Sequence, residues 1–244
     1  MGGHLVTYFM KWVESDLGGK GGKGWVAKHL HAFVGLASSA LGMPKSVGAL
    51  LSGEFKDTSA LGGLNHLIDS NTLLGRAARA KLLQTWRSMY QMMPKGGDAL
   101  WGNGIDSVDD FGENGTCHYM LTVFPNDAQN QKCRDGCSTP VPNFLTDGYS
   151  EMCERDEMMP NVTMSTFLDH FLTSQFANTA PILKQFSYGY SDTPEDNDDD
   201  PLKWYNALEF QLPNAPDMTI YSIYGIGKNT ERGYAYQVLG RAEF

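Results

Sequence analysis

The 244-residue chain is 41% hydrophobic and 19% charged, the proportions of a folded protein with one large domain or two small ones. A formal net charge of -9 without a basic stripe excludes a nucleic-acid backbone as partner, because few cations stand ready to displace phosphate counterions. No apolar run reaches the ~18 residues of a membrane span, and the first residues show no signal-peptide pattern, so nothing in the chain itself directs it to a membrane.

Leu5, Phe9, Trp12 and Val13 recur at helical spacing and predict an opening amphipathic helix. The stretch Gly18-Gly19-Lys20-Gly21-Gly22-Lys23-Gly24 ends it and reads as a flexible linker. It is not a phosphate loop, since it follows a helix and Lys23 precedes Gly24 where Ser or Thr would hold magnesium. Leu30 to Leu36 is apolar without helical length, as a strand buried on both faces would be. Pro44 suits the first turn of a helix carrying Val47, Leu50 and Leu51. One longer helix is predicted from Leu73 to Met93, with Leu74, Ala78, Leu82, Trp86, Met89 and Met93 inward and Arg76, Arg79 and Arg87 in solvent.

From Asn103 to about Met164 the composition predicts a long irregular insertion. It carries the sequons at Asn114 and Asn161 and all four cysteines, Cys117, Cys133, Cys137 and Cys153. Cys133 and Cys137 have zinc-ligand spacing, but no second pair and no paired His accompanies them, so disulfides with three possible connectivities are expected and no metal. Sequons and cysteines together point to a lumenal compartment. Order resumes at Thr166-Phe167-Leu168-Asp169, a capping box opening a helix with Phe167, Phe171 and Leu172 inward. The acidic run Asp192, Glu195, Asp196, Asp198, Asp199 and Asp200 reads as a solvated loop, without the central Gly and closing Glu of a calcium loop. Thr219 to Tyr224 is a predicted strand, and the turn Gly225 to Asn229 joins it to a second one at Gly233 to Val238.

Met1-Gly2-Gly3 ahead of a helix matches the end of a nucleophile elbow, Gly-x-Ser-x-Gly, in which small residues let a strand turn sharply into a helix. On that reading the Ser stands just before Met1. Neither Ser38, Ser52 nor Ser187 lies in such a setting, and His4, His29, His31, His66, His118 and His170 are lone residues with structural or surface roles.

The blocks that follow run in a recognisable order. They are Tyr8 to Glu14, Trp25 with Lys28 and His29, Leu41 to Lys45, Leu51 to Thr58, Met93 to Gly102, Pro201 to Asn206, Leu212 to Met218, Ile220 to Gly225, and Thr230 to Arg232. Across essentially the whole chain they resemble phospholipid:diacylglycerol acyltransferases of the lecithin:cholesterol acyltransferase type, the fungal ones most. The resemblance implies an α/β chain, a partial α/β-hydrolase fold with N- and C-terminal parts of the sheet outside residues 1–244 and a cap or lid insertion over about 53–200.

It also implies a Ser acyl-enzyme that moves the sn-2 chain of a phospholipid to diacylglycerol, giving triacylglycerol, at a membrane surface on the lumenal side of the endoplasmic reticulum and without a cofactor. The Ser is expected before Met1, and the acid and His after Phe244, so these residues alone are expected to be inactive and to fold poorly. Met1 then supplies one backbone N–H to the oxyanion hole. This chain has Ser38-Ser39 where the family usually has a Gly-Pro-like pair. A phospholipase A, or a non-catalytic lipid-binding protein derived from the family, is the alternative.

Overall fold

The computed structural model describes residues 1–53, 75–103, 121–124, 162–171, 179–227 and 231–237. In chain order it has helices α1 (Gly2–Glu14) and α2 (Trp25–His29), strand β1 (Ala32–Leu36), helices α3 (Lys45–Ser52), α4 (Arg76–Leu83), α5 (Arg87–Gln91) and α6 (Gly97–Trp101), and strands β2 (Leu121–Phe124), β3 (Thr219–Ile223) and β4 (Tyr234–Gln237). Two compact units emerge, Met1–Lys95 with Pro181–Thr230 and Gly96–Ala180 with Glu231–Phe244. The second falls for most of its length within the span expected to hold the cap. Helices and parallel strand pairs together make the chain α/β. Among the described residues no helix is long and apolar enough to cross a membrane.

In the first unit β1 pairs in parallel with β3, Ala32 opposite Thr219 through Leu36 opposite Ile223. Every residue of β3 is exposed and only Gly35 of β1 is buried, so the apolar run that reads as a strand buried on both faces is largely bare within these residues. The reason is local: among the described residues the pair has two strands, and Phe33 is the β1 residue that reaches a core. That core joins Met10 and Val13 of α1 to Val26 of α2, with Trp25, Leu30, Leu212, Ala215 and Met218 around them.

Helix α1 forms as predicted but turns a different face inward. Leu5, Phe9 and Trp12 remain 54%, 40% and 39% exposed, whereas His4, Met10, Lys11 and Val13 are buried. Two neighbours set this rotation. The α2 cluster takes Met10 and Val13, and on the other side Tyr8 stacks on Tyr205 at 4.3 Å while Lys11 pairs with Asp198.

The glycine stretch after α1 is an ordered cap, contrary to the expected flexible linker. Gly19 and Gly21 donate to the carbonyls of Trp12 and Val13 at 2.8 and 2.7 Å, satisfying acceptors that a helix end otherwise leaves bare. A Cβ on Gly19 or Gly21 would lie 2.8 Å from a Trp12 or Trp25 ring carbon, so the close approach requires glycine. Glu14 then accepts from the Val26 N–H at 2.8 Å and caps α2.

Helix α3 follows the prediction, with Val47 and Leu50 fully buried. Pro44 serves as its N-cap. The single helix expected over 73–93 is instead α4 and α5, separated by an extended Trp86 (φ -90°, ψ 112°). Its expected inward residues Leu82 and Trp86 are exposed, and Arg79 is partly buried while Arg76 and Arg87 face solvent. The break is held by cross-links: Gln84 donates to the Leu50 carbonyl at 2.8 Å, and the Tyr90 hydroxyl donates to the Gln84 carbonyl at 2.7 Å. Leu74 lies outside the described residues.

In the second unit β2 pairs in parallel with β4, Leu121 opposite Tyr234. The strand expected over 233–238 therefore forms, but its partner is β2, and β3 pairs with β1. The helix expected to start at Thr166 starts three residues earlier, where Thr163 accepts from the Thr166 N–H at 3.3 Å. It continues as a π turn over Phe167–Phe171 with Phe167 fully buried. Asp98 and Ser165 cap one another reciprocally, at 2.9 and 3.3 Å. The Arg232 guanidinium stands 5.0 Å from the Trp101 ring centroid and donates to the Trp101 carbonyl, so two of the sequence blocks meet here.

Candidate active site

In α/β folds ligands bind beyond the carboxyl ends of parallel strands. At that edge of the β1–β3 pair the chain leaves Leu36 through Ala37, whose φ of 48° is left-handed although it is not glycine. Such a conformation persists only where its surroundings fix it, and clusters at functional sites. Here the Ala37 N–H donates to the Ile223 carbonyl at 2.7 Å, carrying the ladder one residue past β1. Ser38 and Ser39 then turn the chain against the first turn of α1. A Cβ at Gly3 would lie 1.9 Å from the Ser38 hydroxyl, so the contact requires glycine at that position. No such crowding occurs at Gly2.

Met1 is the N-cap of α1, with its side chain exposed and its carbonyl accepting from Leu5 at 3.3 Å. The N–H groups of a first helical turn have no intrahelical acceptors, and the helix dipole adds partial positive charge at that end. The edge can therefore stabilise developing negative charge. Met1 is the residue expected at an oxyanion, and it stands at the start of α1, two residues before the Gly3 contact with Ser38.

His4 lies just behind this turn, 3% exposed, with Nε2 2.6 Å from the Ser39 carbonyl. Burial pushes its pKa below 6.5 against the pull of that carbonyl, and the charge of Lys95 pushes it down further. A neutral ring donating from Nε2 carries a bare Nδ1, and Nδ1 has no partner among the described residues.

Lys95 is itself fully buried, donates to the Gln91 carbonyl at 2.6 Å, and faces the Tyr188 ring at 5.6 Å. Burial lowers its pKa to about 8, with Glu209 opposing. The Lys95 N–H donates to Leu41 and the Met43 N–H to Met92, both at 2.9 Å, so the segment following the turn is stitched to 92–95. Burial also raises Tyr90 to about 12 and Tyr188 further.

Of the residues singled out in the sequence, Met1 stands at the start of α1. Asn114, Asn161, Cys117, Cys133, Cys137 and Cys153 lie outside the described residues. Ser187 donates to Glu209, and His29 stacks on Trp25 at 4.3 Å with Nδ1 2.8 Å from its carbonyl. His4 has the structural role expected of it, yet its position at the edge was not foreseen. A signal existed: His4, Tyr8 and Lys11 share one stripe at i, i+4 and i+7, beside the apolar stripe Leu5, Phe9 and Trp12.

Comparison with known proteins gives this edge its setting. The chain is 34% identical over 97% of its length to the phospholipid:diacylglycerol acyltransferase of Schizosaccharomyces pombe and 35% identical over 97% to that of Saccharomyces cerevisiae. It is 30% identical over 98% to phospholipid:diacylglycerol acyltransferase 1 of Arabidopsis thaliana. The chain spans about a third of the two fungal proteins, 34% and 33%, and 42% of the plant one. No solved structure matches it. The profile of the family described as Lecithin:cholesterol acyltransferase covers residues 1–242, and with these relatives it establishes that the chain belongs to the lecithin:cholesterol acyltransferase family.

Proposed function

We propose that the protein carrying this chain transfers an acyl group from the sn-2 position of a phospholipid to diacylglycerol, releasing lysophospholipid and triacylglycerol. The observation that carries the reading is the match over 97–98% of the chain to relatives bearing that activity in their names. The geometry supports it, because a helix N-terminus set at the carboxyl edge of parallel strands is where an acyl-transfer oxyanion would be held.

The 244 residues contain no Gly-x-Ser-x-Gly, so the nucleophilic Ser, the acid and the His are assigned to other parts of an α/β-hydrolase domain whose cap includes about 53–200. In the first half-reaction the Ser hydroxyl attacks the ester carbonyl as His takes its proton. The proton passes to the departing lysophospholipid oxygen and the acyl-enzyme remains. In the second, His takes the proton of a diacylglycerol hydroxyl, which attacks the acyl-enzyme and restores Ser. The Met1 N–H is assigned to the oxyanion in both, a role for which one donor is worth about 10²–10³ in rate. We assign this work to a membrane surface on the lumenal side of the endoplasmic reticulum, a reading supported by the lipid substrates proposed and by the sequons at Asn114 and Asn161 beside four cysteines.

The test is direct. Full-length protein incubated with phosphatidylcholine labelled in its sn-2 chain and with diacylglycerol should yield labelled triacylglycerol, while the 244-residue chain in parallel should yield none. Labelled free fatty acid in place of triacylglycerol would make the protein a phospholipase A. Lipid binding without either product would make it a non-catalytic member of the family.

A further inference from the structure

We infer that His4 is a positioning residue for this site: as a neutral imidazole it latches the Ser38–Ser39 turn to the first turn of α1, and acid opens the latch. The inference rests on the reading of this edge as the acyl-transfer site, and its test is built to fail separately.

Three observations carry it. The bond from Nε2 to the Ser39 carbonyl, at 2.6 Å, spans 35 residues of sequence and joins two segments at the site. A backbone carbonyl only accepts, so the ring must carry its proton on Nε2, and the neutral ring leaves Nδ1 bare. That Nδ1 is buried without a partner, so among the described residues the ring meets no acceptor for a second N–H.

The rest of the turn is braced on other sides, Ser38 against Gly3 and Ala37 against Ile223. His4 is the side-chain tie from α1 to Ser39, whose carbonyl also accepts from the Gly42 N–H within its own turn. The charged side chain acting on the ring is Lys95, from the segment after α5, and it is positive. A second proton on the ring would place a buried cation beside Lys95. Its cheapest escape is to swing the ring into water, and the Ser39 carbonyl then keeps its Gly42 N–H at 2.9 Å but loses its tie to α1.

The sign follows from linkage. The folded state holds His4 below its ordinary 6.5, so the unfolded chain binds the proton first as pH falls. Stability that depends on the ring staying buried and neutral is complete above 6.5 and is lost progressively below it.

Two variants separate the donor from the ring. The side-chain amide of His4→Gln can donate to Ser39 and does not titrate, whereas His4→Leu fills similar space with no donor. In full-length protein His4→Leu should lower kcat for acyl transfer roughly tenfold at neutral pH with KM for phospholipid within about twofold, as loss of positioning requires. His4→Gln should restore most of that kcat and remove the wild-type loss of activity and of thermal stability between pH 6.5 and 5. Wild-type kcat and pH profile in His4→Leu would overturn the latch, as would a His4→Gln variant no better than His4→Leu. If wild-type protein transfers no acyl group, the functional reading fails. The latch is then judged by the melting curves alone: an acid loss of Tm in wild type absent from His4→Gln upholds it, and parallel curves overturn it.

Discussion

Lys11 keeps only 11% of its side chain exposed, while its partner Asp198 keeps 57%. The attraction of such a pair is weakened by water around the carboxylate, so the pair itself contributes little. Its two halves nevertheless differ. Removing the carboxylate strands a desolvated ammonium, and removing the ammonium leaves a carboxylate that water already serves. Asp198→Ala should therefore cost about 1–2 kcal/mol in urea unfolding, and Lys11→Met should be nearly neutral. Equal losses would show that the ion pair acts by attraction rather than by rescue of a buried charge.

Lys95 makes a second residue-scale prediction. Its folded pKa of about 8 lies below its ordinary 10.5, so between these values the unfolded chain holds more protons and stability rises with pH. Measured as melting temperature at pH 8 and at pH 10.5, wild type should gain on Lys95→Met over that interval. A constant difference between the two would mean that Lys95 titrates as it does in water.

At the scale of elements, the glycine cap of α1 separates two reasons for glycine. Gly22 has φ of 83° with no atom near its missing Cβ, so Gly22→Ala pays only for backbone conformation, about 1 kcal/mol. Gly19 has an ordinary φ, but its Cβ would meet Trp12 and the Val13 backbone at 2.8 and 2.9 Å. Gly19→Ala should cost about 2–3 kcal/mol, more than Gly22→Ala, because packed atoms must move. Urea titration of both variants checks the order, and equal costs would mean that the turn is as loose as its composition suggests.

Much of this level was legible in the sequence and part was not. α1, α3, β1 and β3 follow from spacing and β-propensity alone. The inward face of α1 did not, because Leu5, Phe9 and Trp12 form the more hydrophobic stripe while Tyr8, Lys11, Met10 and Val13 find the partners. Hydrophobicity ranks stripes, but tertiary neighbours choose among them. The break at Trp86 was hidden for the same reason, since one of the two bonds that hold it runs from Gln84 to Leu50 of α3. The pairing of β4 with β2 joins segments far apart in the chain, and local turn chemistry carries no trace of it.

At the scale of the molecule, family blocks separated in the sequence come together within units, as Trp101 and Arg232 do. The edge of the first unit joins the start of α1 to the turn at Ala37 to Ser39; the resemblance marked Met1 and the Ser38-Ser39 pair, and Ala37 was not read. His4 was legible as a structural histidine. Its link to Ser39 was not, because nothing local connects positions 35 residues apart. The central claim is the transfer itself, and stoichiometry tests it most directly. Full-length protein should be supplied with phosphatidylcholine labelled differently in its sn-2 chain and headgroup, with diacylglycerol and without acyl-coenzyme A. Labelled triacylglycerol and labelled lysophosphatidylcholine should then appear one for one, with little free fatty acid. Lysophosphatidylcholine matched by free fatty acid, or no turnover of phosphatidylcholine at all, would contradict the account.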